Sequence, residues 1–233
     1  MKISKETFAI LKNYRDLNSN ILISEGSTLK TLTPAKNVMA TSTVQETFPV
    51  EFGIWDLTSF LGTISLFDDP DFDFQDKYVT IIGENGSTVK YFYSEPSLLT
   101  VPTKDVKMPE SVVRIDLTEE SFNDLRKAAS VLNLNDLSIC STDGTTVNAI
   151  LADKKNSTSN TYSVDIGYNE GEHTFNFDFK IDNLRIIPGD YEILFAEKIV
   201  SQFTNKNLNL SYWVALESSS SFTSNSRSNI GAS

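Results

Sequence analysis

The chain has 233 residues, of which 39% are hydrophobic, so it is long enough for two domains of roughly 110 residues that each bury a core. Its formal net charge of −11 is shared almost equally by the two halves. This argues against a generally basic protein that coats nucleic acid, but leaves open contact with DNA through one surface. The lone Cys140 excludes an internal disulfide and indicates a reducing compartment; we expect neither a signal peptide nor a membrane span.

The first predicted element is an amphipathic helix from Ser4 to Leu17. Ser4 is a good N-cap, because its hydroxyl can accept a hydrogen bond from a free backbone N–H of the first turn. The apolar positions share one side: Ile3, Thr7, Ile10, Leu11, Tyr14 and Leu17, with Phe8 at the edge. Lys5 and Lys12 share the opposite side, two turns apart. Taken alone, these lysines need no function beyond a solvated helix face.

The next residues predict strands separated by turns: Ile21 to Ser24, Thr28 to Thr33, Asn37 to Ser42 and Glu46 to Phe52. A short helix from Asp56 or Leu57 to about Ile64 follows, because its apolar residues have the spacing of a core-facing side. Strands Tyr78 to Ile82 and Thr88 to Tyr93 form a hairpin around Gly83 to Ser87.

Asp68 to Asp76 holds five aspartates in nine residues. Carboxylate oxygens suit calcium, but the segment lacks the glycine and the terminal glutamate of a calcium loop. We therefore interpret it as a solvated acidic loop that leads into a strand.

An extended connector is predicted at about 96–110, where Pro96, Pro102 and Pro109 interrupt strand pairing. It divides the chain into an N-terminal domain, 1–110, and a C-terminal domain, 111–217. From Ser218 onward the sequence is rich in serine and asparagine, and residues 218–233 are predicted to be disordered.

The C-terminal domain repeats the opening pattern. A helix is predicted from Thr118 to Leu132, at an offset of 114, with Phe122 at the position of Phe8 and Arg126 at the position of Lys12. Arg126 and Lys127 lie on its polar side. Such a repeat indicates two copies of one domain.

Further strands and one short helix complete the second copy. The predicted strands are Val112 to Asp116, Leu137 to Ser141, Val147 to Ala152, Tyr162 to Tyr168, Thr174 to Phe179, Tyr191 to Ala196, Ser201 to Phe203 and Leu210 to Leu216. A short helix from Lys180 to Arg185 matches the one that starts at Asp56.

The sequence shows no recognisable catalytic constellation. It has no glycine-rich phosphate loop, no His/Cys metal cluster and no nucleophile elbow. His173 is the only histidine, and we interpret it as a surface turn residue. We therefore expect a protein that is not an enzyme and that needs no cofactor and no metal.

The sequence resembles the sliding clamps, or DNA polymerase processivity factors, of T-even-type bacteriophages, from Met1 to about Phe222. The matching runs are Met1-Lys-Ile-Ser-Lys-Glu6 with Leu11-Lys-Asn13, Asp56-Leu57 with Phe60-Leu-Gly62 and Ser65-Leu66, Thr174-Phe-Asn-Phe177 with Pro188-Gly-Asp-Tyr191, and Tyr212-Trp-Val-Ala-Leu-Glu217. The chain continues past the usual end of that family.

The resemblance implies an α+β fold of two repeated processivity-fold domains, each with two helices packed on antiparallel β-sheets. Three subunits would close into a ring around duplex DNA without sequence preference. An ATP-dependent clamp loader would load the ring, which would tether the phage DNA polymerase and activate late transcription through late-transcription factors. The protein would act in the cytoplasm of the infected bacterial host.

Under this resemblance, cations on the polar helix faces are the candidates for phosphate contact, because a sliding ring needs weak contact that does not depend on sequence. They are Lys5, Lys12, Arg15, Arg126, Lys127, Lys180 and Arg185. Val106, Met108 and Pro109 are candidate edges of a pocket for partner peptides, although connector residues of this kind often simply pack on the domain beneath.

Two alternatives remain at this stage. A β-rich acidic phage structural or adaptor protein explains the composition equally well, but it does not explain two basic helices at equivalent positions. A small hydrolase that uses acidic residues has little support.

Overall fold

The computed structural model describes residues 1–197 and 200–225. The chain forms two compact units: the first contains Met1–Val106, Arg185–Ile187 and Asn207–Trp213, and the second contains Lys107–Leu184, Pro188–Lys206 and the chain from Val214 onward. The boundary therefore falls inside the predicted connector, at Val106 and Lys107. Two later segments also belong to the first unit, which a single division of the sequence at residue 110 does not anticipate.

The side chain of Asn13 contacts both of these later segments. Its amide nitrogen donates to the carbonyl of Arg185 at 2.8 Å, and its amide oxygen accepts from the hydroxyl of Tyr212 at 2.7 Å. One asparagine on the first helix thus binds both segments.

The described part of the first unit holds two α-helices, a 3-10 turn at Pro96–Leu98 where the sequence predicted extended chain, and seven complete strands. The α-helices and strands are α1 (Lys5–Leu17), β1 (Ile21–Ile23), β2 (Gly26–Leu32), β3 (Val38–Phe48), β4 (Phe52–Ile54), α2 (Leu57–Ile64), β5 (Asp71–Phe74), β6 (Tyr78–Ile82) and β7 (Thr88–Phe92). β1 pairs with β4, β5 to β7 form a meander, and β2 and β3 form a hairpin, all antiparallel.

Polar groups around Ser4 fix the start of α1. The Ser4 hydroxyl accepts from the backbone N–H of Thr7 at 3.2 Å, as an N-cap does. The N–H of Ser4 and the hydroxyl of Thr7 both donate to the carboxylate of Glu46, which is buried on β3. An anion near the positive end of the helix also interacts favourably with the helix dipole. The predicted N-cap is confirmed, whereas Glu46 had no role in the sequence analysis.

Two predicted strand boundaries are wrong. β3 runs unbroken from Val38 to Phe48, because alternate residues stay buried across Thr43 to Gln45, where the sequence analysis placed a gap. Asp71–Phe74 is a strand and not part of an acidic loop. Phe72 faces the core there, while Asp71 and Asp73 point to solvent. Alternation lets a strand carry acidic residues on its exposed side.

The core of the first unit lies between the helices and the strands. Ile10, Leu11 and Tyr14 of α1 are at most 1% exposed, and α2 buries Leu57, Phe60, Leu61 and Ile64, as predicted. Phe52 lies 5.8 Å from Phe48 and 5.2 Å from Phe74 between ring centroids, so aromatic side chains join the strands beneath the helices.

The second unit holds one α-helix and most of the remaining strands. They are β8 (Ser111–Leu117), α3 (Glu119–Leu132), β9 (Asp136–Ser141), β10 (Thr146–Ala152), β11 (Tyr162–Tyr168), β12 (Thr174–Lys180), β13 (Tyr191–Ala196), β14 (Val200–Asn205) and β16 (Ser221–Thr223). β15 (Leu210–Ala215) begins in the first unit and ends in the second. One sheet has the order β11-β10-β9-β12-β16, and β13 pairs with both β8 and β14.

Thr118 caps α3 as predicted, with its hydroxyl accepting from the N–H of Ser121 at 3.2 Å. The second short helix is a 3-10 turn, Ile181–Leu184, and not the predicted helix from Lys180 to Arg185. Lys180 instead ends β12, where it pairs in register with Asp136 of β9. Lys180, which periodicity assigned to the helix, therefore belongs to the pairing between β12 and β9.

Residues 217–225 form a segment that we call the C-terminal strap. The Ser219 hydroxyl donates to the carboxylate of Asp178 at 2.5 Å, and the N–H of Asp178 donates to the Ser220 hydroxyl at 2.9 Å. Phe222 of β16 then packs against the ring of His173, 5.2 Å away. The predicted disorder from Ser218 is wrong for these residues, because hydroxyls and one phenylalanine suffice to anchor them. Residues 226–233 lie outside the described part of the chain.

Ending the chain at Ser218 is expected to lower the thermal stability of the second unit. The outer edge of β12 would lose its neighbouring strand, and Asp178 would lose two partners. Such contacts together stabilise by about 1–3 kcal/mol, which corresponds to a fall in Tm of roughly 3–10 °C. Circular dichroism during heating measures this. A chain that ends at Asn225 keeps every described strap contact and is the control; equal Tm values for the two chains would contradict the anchoring role.

Among residues 1–197 and 200–225, no helix is long and apolar enough to cross a membrane. The same residues contain no cluster of histidine, cysteine and acidic side chains arranged to hold a metal ion.

Candidate nucleic-acid interface

The first candidate surface is the outer face of α1. Lys5 and Lys12 are both exposed there, seven residues apart, as the sequence predicts. Within the described residues neither lysine forms an ion pair. The ammonium of Lys12 lies 4.5 Å from the centroid of the Phe8 ring, close enough for a cation–π interaction that restrains this cation.

The second candidate surface is the outer face of α3. Arg126 and Lys127 are both exposed, and the guanidinium of Arg126 lies 5.7 Å from the centroid of the Phe122 ring. This geometry repeats that of Lys12 and Phe8 at the offset found in the sequence. Each unit thus places a cation over an aromatic ring one turn earlier on its first helix, so the repeat extends to side-chain geometry.

The other three candidates have different surroundings. The guanidinium of Arg15 forms an ion pair with Asp16 at 2.8 Å. Lys180 forms an ion pair with the buried carboxylate of Asp136, whose hydrogen bond raises the pKa of the lysine. Arg185 is exposed just after the 3-10 turn and belongs to the first unit. A structural role accounts for Lys180, and the DNA contact of all three stays a prediction.

Asp136 and its neighbour Asp178 form a buried ionic cluster on β9 and β12 with Lys154 and Lys180. Lys154 contacts Asp178 at 2.5 Å, and Ser138 donates to the same carboxylate at 2.7 Å. Burial raises the pKa of both aspartates, but their hydrogen bonds and the lysines outweigh it, so each pKa is lowered. No local sequence pattern reveals this cluster, because the residues that contact one another in it are 18 to 44 residues apart along the chain.

The connector is attached to the first unit up to Asp105. Asn18 donates to the carbonyl of Thr100 at 3.1 Å, and Lys30 forms an ion pair with Asp105 at 2.5 Å. Val106 and Pro109 are exposed, and Met108 is half-buried. The proposed role of these three residues in a pocket for partner peptides stays a prediction.

Two strand edges carry large exposed apolar residues that the sequence analysis did not single out. Phe92 on β7 is 66% exposed and Tyr168 on β11 is 65% exposed. β7 and β11 are terminal strands of their sheets. A sequence does not show which strands lie at an edge, so periodicity alone could not identify these residues.

A groove of 380 Å³ lies beside α1 in the first unit, and we call it the α1 groove. Its apolar lining comes from Ile3, Phe8, Ile64, Phe67, Pro70 and Phe72, and Lys5, Ala9 and Lys12 also line it. The two exposed lysines of α1 therefore border an apolar depression.

Comparisons of the sequence with known proteins found related phage proteins. Residues 114–218 match the family model described as the C-terminal part of the gp45 sliding clamp. The sliding clamp of Vibrio phage KVP40 is 29% identical over 93% of this chain and 99% of its own. Those of Escherichia phage RB69 and Enterobacteria phage T4 are each 28% identical, over 94% of this chain and 98% of their own.

Comparisons of the structure found proliferating cellular nuclear antigens (PCNA) of cellular organisms. The A. fulgidus PCNA, solved with the C-terminal region of FEN-1, aligns with a TM-score of 0.68 at 13% identity, over 90% of this chain and 94% of its own. The Proliferating Cellular Nuclear Antigen of Entamoeba histolytica aligns with a TM-score of 0.64 at 14% identity, over the same shares of the two chains. The predicted α+β clamp fold is thereby confirmed.

Proposed function

Because the chain is a homologue of the gp45-type sliding clamps of bacteriophages, we propose that it encircles duplex DNA and tethers the phage replicative DNA polymerase for processive synthesis. The observation that carries the proposal is the pair of equivalent basic helix faces, one in each unit. Four exposed cations lie on these two helices although the chain has a net charge of −11, and a protein that slides on DNA needs such sequence-independent contacts. Sliding clamps are not enzymes, which agrees with the interpretation of this chain as a non-enzyme.

The internal repeat also suggests how copies of the chain would assemble. β3 lies between β2 and β15 in its sheet, and within the first unit the N–H of Thr43 on β3 donates to the carbonyl of Asn209, just before β15, at 2.9 Å. When the elements are counted from the first helix of each repeat, β11 corresponds to β3, and β15 corresponds to β7. Among the described residues, no strand pairs with the outer edge of β11 or of β7. We propose that β11 of one copy pairs with β7 of the next, as β3 pairs with β15 within one chain.

The residues on these edges suit such a contact. β7 carries Lys90 and β11 carries Asp165, so opposite charges would meet. Phe92 and Tyr168 would lose exposed apolar surface. The contact joins two different surfaces, so it is heterologous and must close into a ring or continue as a filament. With two units per chain, six units would close as a trimer.

The chain is expected to form a trimer of about 78 kDa, three times its mass of 26.0 kDa, at micromolar concentration. Phe92→Asp places a charge on the exposed edge of β7 and should shift the protein to monomer. Leu66→Asp is the matched control, because Leu66 is 73% exposed and lies off the strand edges. Light scattering coupled to gel filtration distinguishes these results. A monomer for the unchanged chain at all salt concentrations would refute ring formation.

Partner proteins would bind the free ring and the ring on DNA through exposed apolar surface. We propose that an ATP-dependent clamp loader opens the ring, and that late-transcription factors use it as the polymerase does. The site of action would be the cytoplasm of the infected bacterial host.

A further inference from the structure

The α1 groove has the dimensions and the lining of a small recognition site. Its volume of 380 Å³ falls in the range of about 300–1,000 Å³ that is usual for ligand pockets. Most of its side-chain lining is aliphatic or aromatic. It is therefore able to bury one large apolar side chain of a ligand.

Two of the three charged residues that line the groove are lysines. Lys5 and Lys12 line it and form no ion pair within the described residues, while Asp69, the one carboxylate of the lining, is bound by Lys2 at 2.5 Å. The two lysines are seven residues apart on α1, which separates them by about 10 Å along the helix axis. A ligand that carries acidic groups on both sides of an apolar group would match this arrangement.

The aromatic residues of the groove bear on the class of ligand. A nucleobase binds apolar protein surface by stacking on an open aromatic face. The ammonium of Lys12 lies over one face of the Phe8 ring, 4.5 Å from its centroid, so that face is occupied; Phe72 is buried and Phe67 is half-buried. An aliphatic or aromatic side chain that enters the groove needs no such face. The observations thus favour a peptide over single-stranded nucleic acid.

We propose that the α1 groove binds a short acidic peptide segment of a partner protein, with one large apolar side chain in the groove and flanking carboxylates on Lys5 and Lys12. The site differs from the connector residues considered above. If the proposed clamp function holds, a partner bound here and DNA in the ring would exclude one another, because the same lysines are candidates for duplex contact. Such a partner would act on the free ring.

Fluorescence anisotropy with the full chain tests the site without DNA or a loader. The probe is a fluorescein-labelled, amidated peptide of sequence DELFDE, and DESSDE is the control peptide without the apolar pair. DELFDE is expected to bind with a Kd below about 1 mM. DESSDE should bind at least about tenfold more weakly, because burying a large apolar side chain is the main favourable contribution.

Variants locate the binding. Ala9→Trp fills the groove from the exposed face of α1 and should weaken DELFDE binding at least about tenfold; Ala9→Leu replaces it if the tryptophan variant folds poorly. The double change Lys5→Gln and Lys12→Gln should weaken binding about two- to fivefold for each lysine. The matched double change Lys36→Gln and Lys77→Gln alters the net charge equally at two exposed positions that do not line the groove and should leave binding unchanged.

Three results would overturn the proposal. The first is equal affinity for DELFDE and DESSDE, and the second is an equal effect of the two double changes. The third is a labelled 12-residue oligothymidylate that binds more tightly than DELFDE and loses its binding in the Ala9→Trp variant. None of these measurements depends on ring formation or on duplex DNA. Failure of the groove is therefore distinguishable from failure of the proposed clamp function.

Discussion

A ring of this chain that has been loaded on nicked circular DNA is expected to stay bound at a salt concentration that abolishes its ordinary DNA binding. It should be lost when the same DNA is cut to a linear form. Few phosphate contacts are available to a chain of net charge −11, and salt weakens each of them. Retention must then come from topology, which salt does not affect and which a free DNA end removes.

The helix cations should matter for loading and processivity and not for the stability of the ring. Replacing Lys5, Lys12, Arg126 and Lys127 by alanine removes surface side chains, each of which is expected to change the free energy of unfolding by about 0.5 kcal/mol or less. The trimer should persist. Loading and polymerase processivity should fall, because the positive lining that guides the duplex is gone. Lys36, Lys77, Lys104 and Lys107, four exposed lysines off the helices, changed together to alanine, provide the charge-matched control.

The measurement is retention on circular and linear DNA with a matching loader and ATP, followed by product length with the polymerase. Equal loss from circular and linear DNA would exclude a sliding clamp. Full processivity of the helix variant, or an equal defect in the control, would remove these four residues from the proposed interface.

The helices and most strands were predictable because their signals are local. Ser4, Asp56 and Thr118 are capping residues whose side chains accept from the N–H three positions later, a relation visible in the sequence. The basic faces were predictable for the same reason, since Lys5 and Lys12, or Arg126 and Lys127, need only helical periodicity to share a side. Periodicity could not predict that Lys12 lies over the ring of Phe8 and Arg126 over the ring of Phe122.

What could not be predicted depends on residues far apart in the chain. Glu46 lies 39 residues from Thr7, and no local pattern indicates that it binds the start of α1. Periodicity assigned Lys180 to a short helix, yet it ends β12 opposite Asp136 and forms an ion pair with that residue. The C-terminal strap is polar in sequence, yet it is ordered in the structure because the hydroxyl of Ser219 donates a hydrogen bond to Asp178, 41 residues earlier in the chain.

Asp178 links the ionic cluster to the C-terminal strap, and its replacement by alanine is expected to cause a large loss of stability. The carboxylate is 3% exposed and binds Lys154, Ser138 and Ser219. Removing one partner of a buried ion pair costs about 3–5 kcal/mol. Lys154 is 38% exposed and can turn to water, so we expect about 2–3 kcal/mol here. Urea unfolding followed by circular dichroism measures the change, with Asp124→Asn on the exposed face of α3 as the control.

The same carboxylate should make stability depend on acid. Burial raises the pKa of Asp178, but its bonds to Lys154, Ser219 and Ser138 outweigh this, so the pKa in the folded protein lies below the usual 3.8. A carboxyl whose pKa is lowered by folding stabilises the protein above its unfolded pKa, and that contribution is lost as the pH falls through the folded pKa. The difference in unfolding free energy between the unchanged chain and Asp178→Asn should therefore be constant near neutral pH and shrink below about pH 4. A difference that stays constant down to pH 2 would show that Asp178 stabilises the strap through its shape and not through its charge.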